Sequence, residues 1–154
     1  MCDVPAETAP AAGLSRSRPL DSEAPREIGA WQIAPRPGQS VWLAHSHDPL
    51  AIAGALYRGP GELLLLSGEA ELPAAASLHE MSAAFTCIDL NGPAPLEAIG
   101  LAGLEPLAPG DSLTTRLADI RVTISGTSDG LLLIAETPDA DLLWNWLLER
   151  LAAA

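Results

Sequence analysis

Lysine is absent from this sequence, and its eight cationic side chains are all arginines, set against twenty acidic residues for a formal net charge of -12. A nucleic-acid-binding surface needs clustered Lys and Arg to neutralise phosphates, and an anionic membrane surface makes the same demand. The sequence therefore disfavours both as partners. The lack of lysine also excludes a Schiff-base lysine, a phosphate-loop lysine and a Ser-Lys dyad.

Aromatic residues and cysteine are scarce as well. With four Trp, one Tyr and one Phe, the core must be mainly aliphatic, drawn from 27 alanines and 26 leucines. The two cysteines, Cys2 and Cys87, do not suggest a disulfide framework, so a reducing cytoplasm is the expected location. The first residues have neither a basic nor an apolar targeting region, and no aliphatic run is long enough to span a membrane.

Composition divides the chain near residue 27. Residues 1–27 are rich in Ala, Pro, Ser and Glu without apolar periodicity, which predicts a disordered leader. Residues 28–154 have the length of one domain. Fifteen acidic residues and five arginines fall in this second part, so the acidity belongs to the predicted domain.

The first half of the domain is predicted as a βαββαβ unit, the ferredoxin-like arrangement. Asp48 and Pro49 are a typical N-cap and first residue of a helix, and the alanines at 74–76 favour a second helix. Gly59-Pro60-Gly61 is typical of a hairpin turn. In order, the predicted elements are strand 40–44, helix 49–55, strands 56–58 and 62–67, helix 72–81 and strand 83–90.

The second half is predicted as αβββα, so the fold class is α+β. The expected elements are a short helix at 94–101, strands at 113–117, 120–125 and 131–136 joined by tight hairpins, and a C-terminal helix. Thr137 is the expected N-cap of that last helix and Pro138 its first residue. Asp139 and Asp141 lie in its first turn, where carboxylates favour the helix dipole.

The C-terminal helix carries an apolar arc about twice the ~100° that an ordinary surface helix needs. Two explanations stay open: the helix is enclosed on two sides by its own domain, or Trp144 and Leu148 face a partner subunit. Trp144, Trp146 and Leu148 are therefore the candidate interface residues. The width of the arc does not separate the two explanations.

Candidate metal and acid–base groups are few. His45 and His47 alternate, so in an extended strand they would share a face, but a metal site needs three or four ligands and Asp48 alone could add one. They are interpreted as solvated loop histidines. His79 and Glu80 are adjacent on a predicted helix, where neighbouring residues do not face each other, so they are not expected to form a dyad.

Nucleophilic and cofactor sites are not indicated either. Cys87 has no basic neighbour in sequence to stabilise a thiolate and is predicted to be buried. Asp139 and Asp141 diverge on their helix. The sequence has no GxGxxG, phosphate loop, GxSxG or CxxC motif. No catalytic, cofactor-binding or metal-ligating residue is therefore assigned, and catalysis by this chain alone is not expected.

Taken in order, several segments resemble the γ subunit of heterotetrameric sarcosine oxidase. The segments are 56–65 around Gly59-Pro60-Gly61, Glu80-Met81-Ser82, Leu90-Asn91-Gly92-Pro93, Pro109-Gly110-Asp111, Thr115-Arg116-Leu117-Ala118 and Leu143-Trp144-Asn145-Trp146-Leu147. The match spans residues 54–148. This sequence departs from the family at Gly61, where Asp is usual, at Leu63, where Trp is usual, and at Glu80, which replaces Asp. A Cys-Pro-Leu-Asp stretch common in the family is missing between Gly92 and Gly110.

The resemblance implies a small relative of the folate-binding domain of the glycine-cleavage aminomethyltransferase. It implies an accessory subunit without a catalytic site, packed against the large subunit of a complex that oxidatively demethylates sarcosine or a similar N-methyl amino acid. FAD, FMN, NAD and tetrahydrofolate are then expected in partner subunits and not in this chain. The smallest chain of N-methylglutamate dehydrogenase is similar, so that complex is an alternative.

Two alternatives from other classes remain. The chain could be a stand-alone folate-binding or aminomethyltransferase-like module, in which Glu80, Asp89 or Glu62 would hydrogen-bond the pterin ring. It could also be a homodimer without a catalytic partner, built on the same C-terminal face.

Overall fold

Residues 19–154 are described by the computed structural model of the chain. Within them lie ten strands, two α-helices and a 3-10 turn. In chain order the elements are β1 (Arg26–Ile28), β2 (Trp31–Pro35), β3 (Trp42–His45), β4 (Leu56–Gly59), β5 (Glu62–Leu65), β6 (Ser77–Glu80), β7 (Phe85–Asn91), α1 (Pro95–Ala98), β8 (Ser112–Leu117), β9 (Ile120–Gly126), β10 (Gly130–Glu136), the turn Thr137–Asp139 and α2 (Ala140–Ala152). The predicted α+β class is confirmed.

The strands form two antiparallel sheets. Sheet A has the order β1-β2-β7-β10-β9-β8, and sheet B has the order β4-β5-β3-β6. Sheet B comes entirely from residues 42–80, between β2 and β7, although β2 and β7 pair with each other. The chain leaves sheet A at Arg36, whose backbone N–H donates to the carbonyl oxygen of Cys87 at 2.9 Å.

Sheet A is buried on both faces. Side chains alternate along a strand, so β10 sends Leu133 to one face and Leu132 to the other. The first face packs against α1 and α2 in a core that includes Ile33, Ile88, Leu90, Ile124, Leu133, Leu143 and Leu147. The second face packs against sheet B through Val41, Leu56, Leu64, Phe85, Cys87, Leu132 and Ile134.

The hairpins predicted from the sequence are present. β8 and β9 are joined by Ala118 and Asp119, with φ of 49° and 65°, the left-handed conformation that a two-residue turn of matching twist needs at both positions. β4 and β5 pair across Gly59-Pro60-Gly61. No helix of the described residues is both long and apolar enough to span a membrane.

The helix expected at 49–55 is wrong, because this segment is irregular. Its apolar side chains Leu50, Ile52 and Ala55 lie instead on the outer face of sheet B, against a cluster containing Ala44 and Leu63. A short cap-like signal at Asp48 and Pro49 was insufficient, since isolated short helices are marginal without packing.

The helix expected at 72–81 is also wrong. Its second half is strand β6, which pairs with β3 so that Leu78 lies opposite Ala44 and Glu80 opposite Trp42. The pairing outweighs the helix propensity of the alanines at 74–76, because propensity is a weak prior that tertiary context overrides. The four strands predicted for the ferredoxin-like unit are present and its two helices are not. The fourth of these strands, β7, belongs to sheet A, whereas β3, β4 and β5 belong to sheet B.

The two ends of the domain differ in detail from the expectation. Residues 1–18 of the expected leader lie outside the described residues, whereas Leu20 is buried in the helix-side core and β1 begins at Arg26.

The C-terminal helix is confirmed, but Thr137 does not cap it. Its hydroxyl donates to the carbonyl oxygen of Ala83 at 3.1 Å, and the N-cap is Asp139, without a side-chain cap hydrogen bond. The short helix at 94–101 is one turn, α1.

Candidate functional site

Of the histidines singled out from the sequence, His45 ends strand β3 and His79 lies on β6, both in sheet B, whereas His47 lies in the loop after β3. His45 and His47 are exposed, with ring centroids 5.8 Å apart in an edge-to-face arrangement, and no group of three metal-ligating side chains occurs in the described part of the chain. His79 lies on strand β6, with Nε2 3.0 Å from the Ser77 hydroxyl. Glu80, next to it, accepts a hydrogen bond from the Ser82 backbone N–H at 2.9 Å.

Cys87 is buried, as predicted, on the sheet B side of β7. Burial raises the pKa of the Cys87 thiol from 9.0 to about 12, with Arg36 lowering it and Asp89 raising it by smaller amounts. The sequence did not indicate that Arg36 lies nearby. Because the thiol stays protonated, Cys87 behaves as a packing residue.

The candidate interface residues of α2 have unequal surroundings. Trp144 is only 3% exposed and belongs to the helix-side core of this chain. Trp146 and Leu148 are half-buried at the border of that core. Leu142, on the outer side of the helix, is 59% exposed. Enclosure by its own domain therefore explains Trp144, and the interface role stays a prediction that concerns Trp146 and Leu148.

A buried charged centre, which the sequence analysis missed, joins the two sheets. Arg58 of β4 is 6% exposed, and its Nη2 donates to Glu136 Oε1 of β10 at 2.6 Å. Its Nε lies 3.5 Å from Glu62 Oε2, and its guanidinium carbon lies 4.8 Å from the centroid of the Phe85 ring. Nη1 has no partner in the described part of the chain. A position for an ordered water is expected there, because buried polar atoms are nearly always hydrogen-bonded.

Arg121 completes this centre. Its Nη2 donates to the backbone carbonyl of Arg58 at 2.5 Å and lies 3.4 Å from Glu62 Oε2. Beside it, Thr114 donates to the Tyr57 carbonyl oxygen at 2.6 Å, and its Oγ1 lies 3.0 Å from that of Thr123. Two guanidinium and two carboxylate groups thus face each other, so the centre compensates its own charge and holds β4 against β8 and β9.

The acids considered for a pterin are not brought together. Asp89 is held by Arg36 in a two-point ion pair, at 2.9 Å to Nε and 2.6 Å to Nη2. Glu62 belongs to the Arg58 centre. Glu62 lies opposite His45 and Glu80 opposite Trp42, so about 10 Å of strand β3 separates the two pairing positions.

An apolar groove lies at the other end of sheet A, between α1, the loop that follows it and the turn before β10. It has a volume of about 390 Å³, within the range of ordinary ligand sites. Its apolar lining is formed by Leu96, Leu101, Leu104, Leu107 and Leu131. Leu104 is 49% exposed. Glu97 and Asp129 line the same groove, and neither makes an ion pair with another described residue.

Comparison with solved structures finds chains of similar fold. A chain of the heterotetrameric sarcosine oxidase of Corynebacterium sp. U-96, solved in complex with pyrrole 2-carboxylate, superposes with a TM-score of 0.64 at 15% identity over 87% of this chain and 90% of that chain. This chain has a sarcosine oxidase-like fold. A structural-genomics protein of Agobacterium tumefaciens matches with a TM-score of 0.33 at 14% identity, over 73% and 83% of the two chains. No protein-family model matches the sequence, and no curated protein is significantly similar to it.

The resemblance to sarcosine oxidase noted in the sequence is thus confirmed at the level of fold. Its motifs occupy distinct places in the structure. Gly59-Pro60-Gly61 forms the turn between β4 and β5, beside the buried Arg58, and Leu90 to Pro93 ends β7 where the chain enters α1. The two tryptophans of the last motif lie on α2.

Proposed function

We propose that this chain is an accessory subunit, without a catalytic site of its own, of a multi-subunit flavin-dependent oxidase or dehydrogenase. The complex would demethylate sarcosine or a related N-methyl amino acid, and this chain would pack against its large subunit. The observation that carries the proposal is the likeness to a sarcosine oxidase chain over 87% of this chain and 90% of that one. Since most of each chain is covered, the likeness supports correspondence to a whole small subunit.

The charges of this chain support a non-catalytic role within such a complex. The Arg58 centre and the Arg36–Asp89 pair use their charged groups to hold strands together, so they serve the fold. FAD, FMN, NAD and tetrahydrofolate would be held by the partner subunits, and the complex would work in the cytoplasm.

Exposed apolar side chains on two sides of the domain support attachment to another protein. Leu142 of α2 and Leu104 of the groove are 59% and 49% exposed, and half-buried Trp146 lies one helical turn from Leu142. Leu148 is half-buried on another side of the helix. Leu142 and Trp146 are neighbours on α2, and adjacent exposed apolar side chains are typical of an interaction site.

The test is purification of the full chain, tagged at Met1, from its own cells, followed by native mass measurement and flavin absorbance. We expect near-stoichiometric flavoprotein subunits, and oxidation of sarcosine or another N-methyl amino acid by the captured complex. Recovery of the chain alone, together with undiminished N-methyl amino acid oxidation in cells that lack it, would contradict the proposal.

Tetrahydrofolate separates this function from that of a stand-alone folate-binding module. We expect it to bind the assembled complex and to leave the isolated chain unchanged at millimolar concentration, as followed by calorimetry. Saturable binding to the isolated chain would favour the stand-alone module.

A further inference from the structure

The groove beside α1 has an apolar floor and is large enough to hold a side chain of another protein. Leu96 and Leu131 are buried at 5% and 2% exposure and form its floor. Leu101 and Leu107 are partly exposed, and Leu104 is 49% exposed. A volume of about 390 Å³ lined in this way leaves apolar surface in contact with water, which an apolar side chain of a partner would cover.

The loop that forms the groove wall turns at two glycines. Gly100 and Gly103 have φ of 88° and 83°, values that glycine adopts without strain. A Cβ placed on Gly103 would meet nothing within 4 Å. The wall is therefore shaped by turns, and Gly103 lies beside free space.

The charge of the groove is of one sign. Glu97 and Asp129 line it, Glu105 lies on the same loop, and none of its lining residues is basic. Two other acids are held by arginines, Asp89 by Arg36 and Glu136 by Arg58, whereas no ion pair among the described residues includes Glu97, Glu105 or Asp129. The uncompensated carboxylates of the groove attract a cationic partner and disfavour an acidic one.

Resting on the proposed function, we propose that this groove binds a segment of a partner subunit in which an apolar side chain is flanked by Lys or Arg. The apolar side chain enters between Leu101, Leu104 and Leu107. The flanking cations lie against Glu97 and Asp129. This arrangement, with an apolar anchor inside a charged rim, is the usual anatomy of a small protein interface.

Photo-crosslinking of the complex tests the inference directly. Leu104→p-benzoylphenylalanine is introduced into the tagged full chain and expressed in its own cells. Tyr57→p-benzoylphenylalanine, on strand β4 of sheet B, is the control, because Tyr57 is 51% exposed and Leu104 49% exposed. We expect the probe at position 104 to crosslink to a flavoprotein subunit, at a peptide with Lys or Arg beside an apolar residue.

Two charge variants and one apolar variant give an independent readout. Leu104→Asp, and Glu97→Arg combined with Asp129→Arg, are each expected to lower the amount of captured flavoprotein about tenfold. Asp48→Arg, which changes an exposed acid on the sheet B side, is expected to capture the same amount of flavoprotein as wild type. Unchanged urea midpoints establish that the variants fold.

The outcomes separate the two proposals. If wild type captures the flavoprotein while position 104 gives no crosslink, or crosslinks to a peptide without basic residues, the groove inference is overturned and the proposed function stands. If the groove variants capture as wild type does, the inference is overturned in the same way. If wild type captures no flavoprotein, both fail.

Discussion

Arg58 and Glu136 meet between the two sheets, with Nη2 2.6 Å from Oε1, although 78 positions separate them in the sequence. Arg58 is almost wholly buried, whereas Glu136 keeps half of its side chain in solvent. The pair therefore joins the edge strand of sheet B to a central strand of sheet A, with the carboxylate still partly hydrated.

This asymmetry predicts the response to replacing Arg58. Arg58→Met keeps volume over Phe85 and leaves Glu62 and Glu136 partly hydrated, so we expect unfolding free energy within about 1 kcal/mol of wild type. Arg58→Ala leaves a cavity and is expected to cost about 2–4 kcal/mol. Urea unfolding measures both. Similar losses of more than about 2 kcal/mol for both variants would show that the lost charge, and not packing, dominates at this site.

The turn between β4 and β5 predicts a large difference between two glycines. Gly61 has φ of 69°, and a Cβ there would overlap the backbone carbonyl oxygen of Ser46. Gly38 has φ of 74° with nothing within 4 Å of such a Cβ. Gly38→Ala is expected to cost about 1 kcal/mol, from backbone strain alone, and Gly61→Ala at least about 2 kcal/mol more, since backbone must move. Equal midpoints in urea would contradict the proposed close approach.

Cys87 predicts a loss of stability in alkaline solution. Its folded pKa of about 12 exceeds the ordinary 9.0, so between these values the unfolded chain has released the thiol proton while the folded chain retains it. The folded state binds more protons in that window, and its stability falls as pH rises from 9 toward 12. Below pH 9 this contribution is fully present.

The measurement compares Cys87→Ala with the parent, both in a Cys2→Ser background, by urea unfolding at pH 7 and pH 10.5. We expect the parent to lose more stability over this range than Cys87→Ala. Iodoacetamide at pH 8 should leave the folded parent unlabelled and label it after unfolding. Rapid labelling of the folded parent would refute the buried, protonated thiol.

Helix α2 carries a buried side chain, Trp144, and a half-buried one, Leu148, for which different effects of substitution are expected. Trp144→Ala removes a buried side chain and is expected to cost about 3–5 kcal/mol, as measured by urea unfolding. Leu148→Ala removes a half-buried side chain, so a loss of about 1 kcal/mol is expected together with weaker capture of the flavoprotein. If Leu148→Ala captures as wild type does, the predicted interface does not include Leu148.

Local signals predicted the second half of the fold better than the first. Ala118-Asp119 and Gly130 mark turns between strands that are neighbours in sequence, so their hairpins followed from the residues themselves. The segment at 72–81 failed because its partner, β3, lies about 35 residues earlier in the sequence, and alanine favours helix only where packing does not decide.

The charged centre could not be predicted from the sequence for a similar reason. Glu62 lies near Arg58 in the chain, but Arg121 and Glu136 reach it only through the packing of sheet B on sheet A. An arginine within the apolar stretch Leu56 to Leu65 was the one available signal. A buried arginine needs acidic partners, because an unpaired buried charge is costly, and the sequence did not indicate that Glu136 would supply one.

Because sheet B is formed by the chain between β2 and β7, we expect it to unfold separately from sheet A. Its strands share no backbone ladder with sheet A, and the chain enters and leaves it at adjacent points, Arg36 and Phe85. Sheet B can therefore open while every ladder of sheet A stays closed. Amide hydrogen exchange should then show two cooperative units, with the amides of β3 and β5 exchanging at a common, lower protection than those of β7 and β10.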